Sequence, residues 1–320
     1  MTQIAIETRN LTRRYRGATA LDGVSVQIHA NVITGLLGRN GAGKTTLMSL
    51  ITAQDRPSSG SVDVNGHPPF ERAETIEQMC FVRDNQRYPD DYKLHHAVRA
   101  ARFSYPNWDQ GVADRLIDAF RIPSKSVVKK LSRGQLSSLG IVLGLASRSP
   151  ITFFDEPYLG LDATARAIFY DELLRDYAEH PRTIVLSTHL IDEMDRLLER
   201  VIVIDQGKIV RHDDVDAMRG SAFQVAGKAS EVDAFIAGRP VLSRRQIGGL
   251  ATAVINEAPT AEHRGAAGGL ELSAVSLQDL VAAYGLADST SEASARSAGD
   301  QSVDSAADTS ATPHFERSAS

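Results

Sequence analysis

The stretch "VITGLLGRNGAGKTTLMSLIT", residues 32–52, decides the reading of this chain. It opens as a near-continuous apolar run, VITGLLG (32–38), turns through GRNGAGKTT (38–46) and enters a helix-like segment, KTTLMSLIT (44–52). The turn matches G-x-x-x-x-G-K-[ST], a spacing that carries weight because a strand precedes it and a helix follows. Gly38, Gly41 and Gly43, interleaved with Arg39, Asn40 and Ala42, let successive backbone N–H groups converge on phosphate oxygens. The helix N-terminus adds a favourable dipole. Lys44 is placed to reach a β- and γ-phosphate, Thr45 to hold Mg²⁺ through its hydroxyl, and Thr46 closes the loop. The segment predicts a nucleotide site.

Moving outward, "ITFFDEP" (151–157) brings Asp155 to the carboxyl edge of an apolar strand, where ligands gather in open α/β sheets. Glu156 follows at once, placed to polarise a water for attack on a γ-phosphate, as a general base does. Alone, the pair would also suit a solvated acidic strand end; beside a phosphate loop it reads as metal ligand and base. The strand "TIVLS" (183–187) ends in Thr188 and His189, and a histidine there can donate to a γ-phosphate.

The same runs give the fold class. VITGLLG, MCFV (79–82), ITFFD (151–155), TIVLS and VIVID (201–205) are continuous apolar strands of the kind helices cover on both faces, which predicts a P-loop α/β domain with a mostly parallel core sheet. "IAIETRNLTRRY", "VSVQI" and "SVDVNG" alternate instead, with an Asn65-Gly66 turn, and predict an antiparallel β subdomain. From about 90 to 147 strands give way to "YKLHHAVRAARF", "DQGVADRLIDAF" and "QLSSLGIVLGLASR", an inserted helical subdomain. The α/β domain is expected over 1–212. Residues 213–285 read as a small accessory unit broken by "IGGL" and "GAAGGL" and ending in a helix, "SLQDLVAAYG"; 286–320, rich in Ser, Ala and Asp, is expected to be a disordered tail.

Composition narrows the function classes. A chain of 320 residues with 42% apolar content can bury a sizeable core, and a net charge of −5 offers no footprint for nucleic acid, so none is expected as a partner. No run approaches the roughly 18 apolar residues that span a bilayer. "MTQIAIETRN" lacks the apolar core and cleavage site of a signal peptide, and a single cysteine, Cys80, forms no internal disulfide. These features predict a cytoplasmic home. Cys80 in "MCFV" reads as a buried strand thiol, His95-His96 as helix surface and Trp108 as packing.

Taken in order, these elements resemble the nucleotide-binding subunit of the ATP-binding cassette (ABC) transporter family over residues 4 to about 212. "LSRGQ" (131–135) is similar to the family's signature loop, usually LSGGQ; "LGLD" (159–162) to its D-loop; "STH" to its switch-histidine loop. Tyr15 falls where relatives stack an aromatic ring on adenine. The resemblance implies an ATPase that binds Mg·ATP at the seam of two head-to-tail nucleotide-binding subunits, two copies or one with a related chain. Ser132, Gly134 and Gln135 of one subunit would serve the nucleotide held by Lys44 of the other, with Asp162 at the D-loop. It also implies a separate transmembrane subunit, a peripheral place at the inner face of the membrane, and export over import. A non-transport cassette acting on ribosomes or DNA is the second reading; the double cassette or long coiled-coil insert common there is absent from this sequence.

Two positions depart from the family pattern. Arg133 replaces the middle glycine of the signature, either as an extra cation near a phosphate or lying exposed on the subunit surface. In "FVRDNQRYP" the position that normally carries the Q-loop glutamine falls on Asp84, with Gln86 two residues on; either is a candidate to reach the metal.

Overall fold

The structure is a computed structural model that describes residues 3–84 and 86–285. The expected tail, 286–320, lies outside the described residues. In chain order the first part runs β1 (Ile4–Tyr15), β2 (Ala18–His29), β3 (Ile33–Leu37), α1 (Lys44–Ile51), β4 (Ser59–Val64), α2 (Ala73–Ile76) and β5 (Met79–Arg83). A helical segment follows with α3 (Leu94–Ser104), α4 (Gln110–Ala119) and α5 (Arg133–Ser147). The chain then returns to β6 (Ile151–Asp155), α6 (Ala163–Glu179), β7 (Thr183–Thr188), α7 (Ile191–Met194), β8 (Arg200–Asp205) and β9 (Lys208–Asp214).

Among the described residues the core sheet has the order β5-β6-β7-β3-β8-β9, with every pair parallel except β8 and β9. A second sheet, β2-β1-β4, is antiparallel. Strand pleating sends neighbouring residues to opposite faces. Phe153 joins the cluster of α1 and the antiparallel sheet, with Leu47, Met48 and Ile51, while Phe154 joins the helical face with Leu139, Val142 and Phe169. Both rings are fully buried, each worth roughly 1.5–3 kcal/mol of transfer free energy. Double-sided burial is why these strands read as unbroken apolar runs.

The helical segment presents narrow apolar stripes to this core. Leu94, Ala97, Val98 and Ala101 recur at helical spacing along α3, and Asp109 caps α4 by accepting from the Val112 N–H at 2.9 Å. Trp108 is part-buried against the same cluster, and its indole N–H donates to Gln110 Oε1 at 3.0 Å. Cys80 is buried, and desolvation pushes its thiol above the ordinary value.

The stretch 213–285, expected as one weakly patterned unit, divides in two. After α8 (Val215–Gly220) come β10 (Phe223–Lys228), α9 (Ala229–Ile236), β11 (Val241–Ile247), β12 (Leu250–Ile255), α10 (Ala261–Ala266) and β13 (Glu271–Ala274). These strands form an antiparallel sheet, order β11-β12-β10-β13, over a small core of its own built on Phe223, Val225, Val232, Phe235 and Ile255. The "IGGL" break is its β11-β12 hairpin turn. The final helix α11 (277–285) and α8 instead pack into the main core through Leu277, Leu280, Tyr284, Val215 and Met218, because their apolar faces match Val201 and Val203 of β8.

Candidate nucleotide site

Strand register assembles the site. In the core sheet Leu37 lies opposite Thr188 and Asp155 opposite Ser187, so the ends of β3, β6 and β7 meet at one carboxyl edge. The loop that leaves β3 takes backbone conformations that favour glycine: φ is 152° at Gly38, 83° at Gly41 and 112° at Gly43, the residue preceding α1. A Cβ on Gly38 would lie 2.1 Å from the Ile204 carbonyl oxygen, and one on Gly43 would lie 2.7 Å from that of Ala20. Gly38 and Gly43 are therefore required by close approach as well as by φ, and Gly41 by φ alone.

Lys44 is buried at the centre of the loop. Its ammonium donates to the carbonyls of Gly38 at 2.8 Å and Arg39 at 3.2 Å and lies 3.3 Å from Glu156 Oε1. Thr45 Oγ1 donates to Asp155 Oδ2 at 2.7 Å, while Ser187 Oγ donates to Asp155 Oδ1 at 2.7 Å. The Glu156 N–H in turn donates to Ser187 Oγ at 2.9 Å. One serine thus orients the Asp155 carboxylate and anchors the Glu156 backbone. Glu156 has φ 50°, the left-handed region that an unconstrained glutamate avoids. His189 Nδ1 sits 2.5 Å from Glu156 Oε2.

A cleft of about 520 Å³ opens onto these groups, lined by Asn40, Gly41, Gly43, Lys44, Thr46 and His189 among others. A second space of about 560 Å³ adjoins it through Thr45, Glu156 and Leu159, and Asp155, Asp84 and Gln86 line it. The residues fit a magnesium nucleotide. A hydroxyl and a carboxylate within 2.7 Å are hard oxygen donors. No three His, Cys, Asp or Glu among the described residues gather into a metal cage. That suits Mg²⁺, which takes one or two carboxylates and completes its shell from phosphates and water.

Other expected residues take more local places. Ser132 is the N-cap of α5, its Oγ accepting from the Gln135 N–H at 3.2 Å while Gln135 Oε1 accepts from the Ser132 N–H at 3.1 Å. The signature stretch is therefore the first turn of the helix, where the sequence reading began the helix at Gln135; the reciprocal cap explains the earlier start. A Cβ on Gly134 would lie 2.5 Å from the Gly160 carbonyl oxygen, so signature and D-loop touch within one chain. Asp162 caps α6 by accepting from the Ala165 N–H at 2.8 Å. Arg133 lies exposed, as the second sequence reading has it, and pairs there with Asp84, the other departure, at 3.0 Å.

Tyr15, at the end of β1, donates to Asp55 Oδ2 at 2.6 Å and carries the Arg13 guanidinium 4.5 Å from its ring centroid. Sequence reasoning missed two side chains at the edge of the cleft. Tyr158 and Thr188 are fully buried and hydrogen-bonded to the Glu156–His189 pair, Thr188 through Tyr158. A tyrosine directly after "DEP" was the available signal.

Residues 21–159 match the family model described as ABC transporter. The chain is 29% identical over 223 residues to the daunorubicin/doxorubicin resistance ATP-binding protein DrrA of Streptomyces peucetius, covering 68% of this chain and 67% of that one. It is 31% identical over 219 residues to the spermidine/putrescine import ATP-binding protein PotA of Nitrosospira multiformis, covering 65% and 59%. A solved dimeric bacterial ABC transporter cassette, MJ0796, shares the fold at a TM-score of 0.58 and 23% identity, over 66% of this chain and 98% of that one. Family match, fold and the ordered phosphate-loop, signature and strand-end motifs agree: residues 21–159 carry an ABC transporter domain.

Proposed function

We propose that this subunit hydrolyses Mg·ATP at a seam between two head-to-tail nucleotide-binding subunits and drives a separate transmembrane subunit at the inner face of the membrane, in the direction of export. The observation that carries the reading is the meeting of Lys44, Asp155, Glu156 and His189 on one cleft edge.

In this reading Lys44 leaves the Gly38 and Arg39 carbonyls and Glu156 to grip the β- and γ-phosphates, while the N–H groups from Gly38 to Thr46 cradle them. Thr45 and Asp155 hold Mg²⁺, which when bound neutralises charge developing on the phosphates. Asp84, paired with Arg133, and Gln86 both line the metal side of the cleft, and Gln86, with no such ion pair, is the proposed metal-side residue. Glu156 Oε1, freed of Lys44, accepts the proton of the attacking water, and His189, its Nδ1 held by Glu156, turns Nε2 toward the γ-phosphate. Tyr15 offers adenine the ring face that Arg13 leaves open.

Ser132 stands exposed at the helix start with Gly134 and Gln135 part-exposed beside it, and none of the three lines the clefts around Lys44, an arrangement suited to a nucleotide held by a partner subunit. The dimeric cassette of the same fold supports pairing, with a copy or a related chain. The resistance-protein relative supports export, and the importer relative sets the competing outcome.

Glu156→Gln tests the base. The variant should retain ATP-dependent pairing in size-exclusion chromatography while phosphate release falls at least roughly 10²-fold. Unchanged turnover would remove Glu156 from the role. Direction is read by co-expressing the membrane partner and preparing inverted vesicles: ATP-dependent accumulation inside them means export, and accumulation only in right-side-out vesicles means import.

A further inference from the structure

We propose that Tyr158 is a positioning residue for hydrolysis, a buried phenol that fixes the rotamer of Glu156 so that one carboxylate oxygen is anchored and the other is presented to water. The inference rests on Glu156 being the base. It comes from a directed chain of hydrogen bonds that is closed at every step.

A phenol has one proton to donate and two lone pairs to fill. At Tyr158 both acceptor positions are taken: Thr188 Oγ1 donates to its oxygen at 2.9 Å, and the His189 N–H donates at 2.9 Å. Thr188 is itself oriented, because its Oγ1 accepts from the Leu190 N–H at 2.9 Å, which points its hydroxyl proton toward the phenol. With His189 in the Nδ1–H tautomer that its 2.5 Å approach to the carboxylate requires, the Tyr158 proton is left with one acceptor, Glu156 Oε2, at 2.6 Å. His189 Nδ1 meets the same oxygen at 2.5 Å and lies 3.2 Å from the phenol, so it reaches Oε2 as a second donor. Oε2 is saturated from two sides. Oε1 faces the cleft beside Lys44 at 3.3 Å.

The arrangement suits positioning more than packing. Tyr158 is almost fully buried, 1% exposed, at a place where phenylalanine would fill the same space without owing any hydrogen bond. Burial and the bond to Glu156 hold its hydroxyl well above the ordinary tyrosine value, so it stays a neutral donor through the working pH range. Glu156 needs such a brace because its backbone is left-handed at φ 50°, which removes the local rotamer support a strand residue would have. An orientational error at a base is expensive, since a shift of about 1 Å can cost about 10²-fold in rate.

Tyr158→Phe in the full chain removes the donor and keeps the ring. Expected is a kcat for ATP hydrolysis lowered roughly 10- to 100-fold with KM for ATP changed less than about 2-fold, as for an interaction realised in the transition state. Thr188→Val, which removes the hydroxyl orienting the phenol and with it the acceptor of the Leu190 N–H, should lower kcat by a smaller factor and add nothing to the kcat loss of Tyr158→Phe. If Tyr158→Phe does not fold, Thr188→Val alone must lower kcat at unchanged KM for the proposal to stand. A folded Tyr158→Phe with wild-type kcat and a lower melting temperature overturns it, as do losses from the two variants that multiply independently. Glu156→Gln run beside them separates the readings: inactive Glu156→Gln with active Tyr158→Phe defeats the phenol's role alone, whereas active Glu156→Gln defeats the base on which it rests.

Discussion

Arg133 and Asp84, the two positions at which this chain leaves its family's motifs, are ion-paired with each other at 3.0 Å. The arginine opens the signature helix and the aspartate follows the edge strand of the core sheet, so the pair ties the helical segment to the α/β core. Arg133 is 65% exposed and Asp84 15%, which places the bond in well-screened surroundings. A double-mutant cycle with Arg133→Ala and Asp84→Ala, read by urea unfolding, should give a coupling of about 0.2–1 kcal/mol. It should fade toward ~1 M salt, where the screening length is about 3 Å. Coupling that survives high salt would contradict an exposed pair.

Gly134 is expected to resist replacement even by the best helix former. Alanine would bring about 1 kcal/mol of helix propensity. Its Cβ, however, would meet a backbone oxygen of Gly160 at 2.5 Å, a contact no rotamer change relieves. Overpacking of this kind costs typically about 1–3 kcal/mol, so Gly134→Ala should lower the urea midpoint with the slope unchanged. A raised midpoint would mean the Gly160 loop yields freely.

A pH dependence follows from His29 on β2 and His212 on β9. The Nδ1 of His29 and the Nε2 of His212 are buried with no hydrogen-bond partner among the described residues. Both imidazoles are pushed below their ordinary value, chiefly by desolvation and then by the Arg200 guanidinium, against the weaker opposite pull of Asp214 and, for His212, of Asp213. The unfolded chain therefore takes up these protons first. Stability should be full above the unfolded histidine value of 6.5 and fall as pH drops through the folded values. Melting curves at pH 7.5 and 5.5 should differ more for the natural chain than for His212→Gln; equal differences would clear His212 of the effect.

The parts of the molecule legible in the sequence were those whose chemistry is local. Gly38 to Thr45 announce their loop because every glycine answers a backbone need within eight residues. Phe153 and Phe154 announce a two-faced strand because both neighbours of the sheet are apolar. The small sheet after residue 220 stayed hidden because β11, VLSRRQI, carries arginines in place of a clean apolar face, and β10 includes Gly227 under Leu270. Tyr158 was invisible for a different reason: two of its three hydrogen-bonding neighbours, Thr188 and His189, reach it only through the β6-β7 register.

The left-handed backbone at Glu156 has a further consequence. The residue best suited to that spot by conformation alone is one with no side chain at all, while hydrolysis asks for a carboxylate there. Selection for a sturdier fold and selection for a working enzyme consequently pull this single codon in opposite directions, and a variant chosen only for heat resistance would be drawn toward glycine and silence.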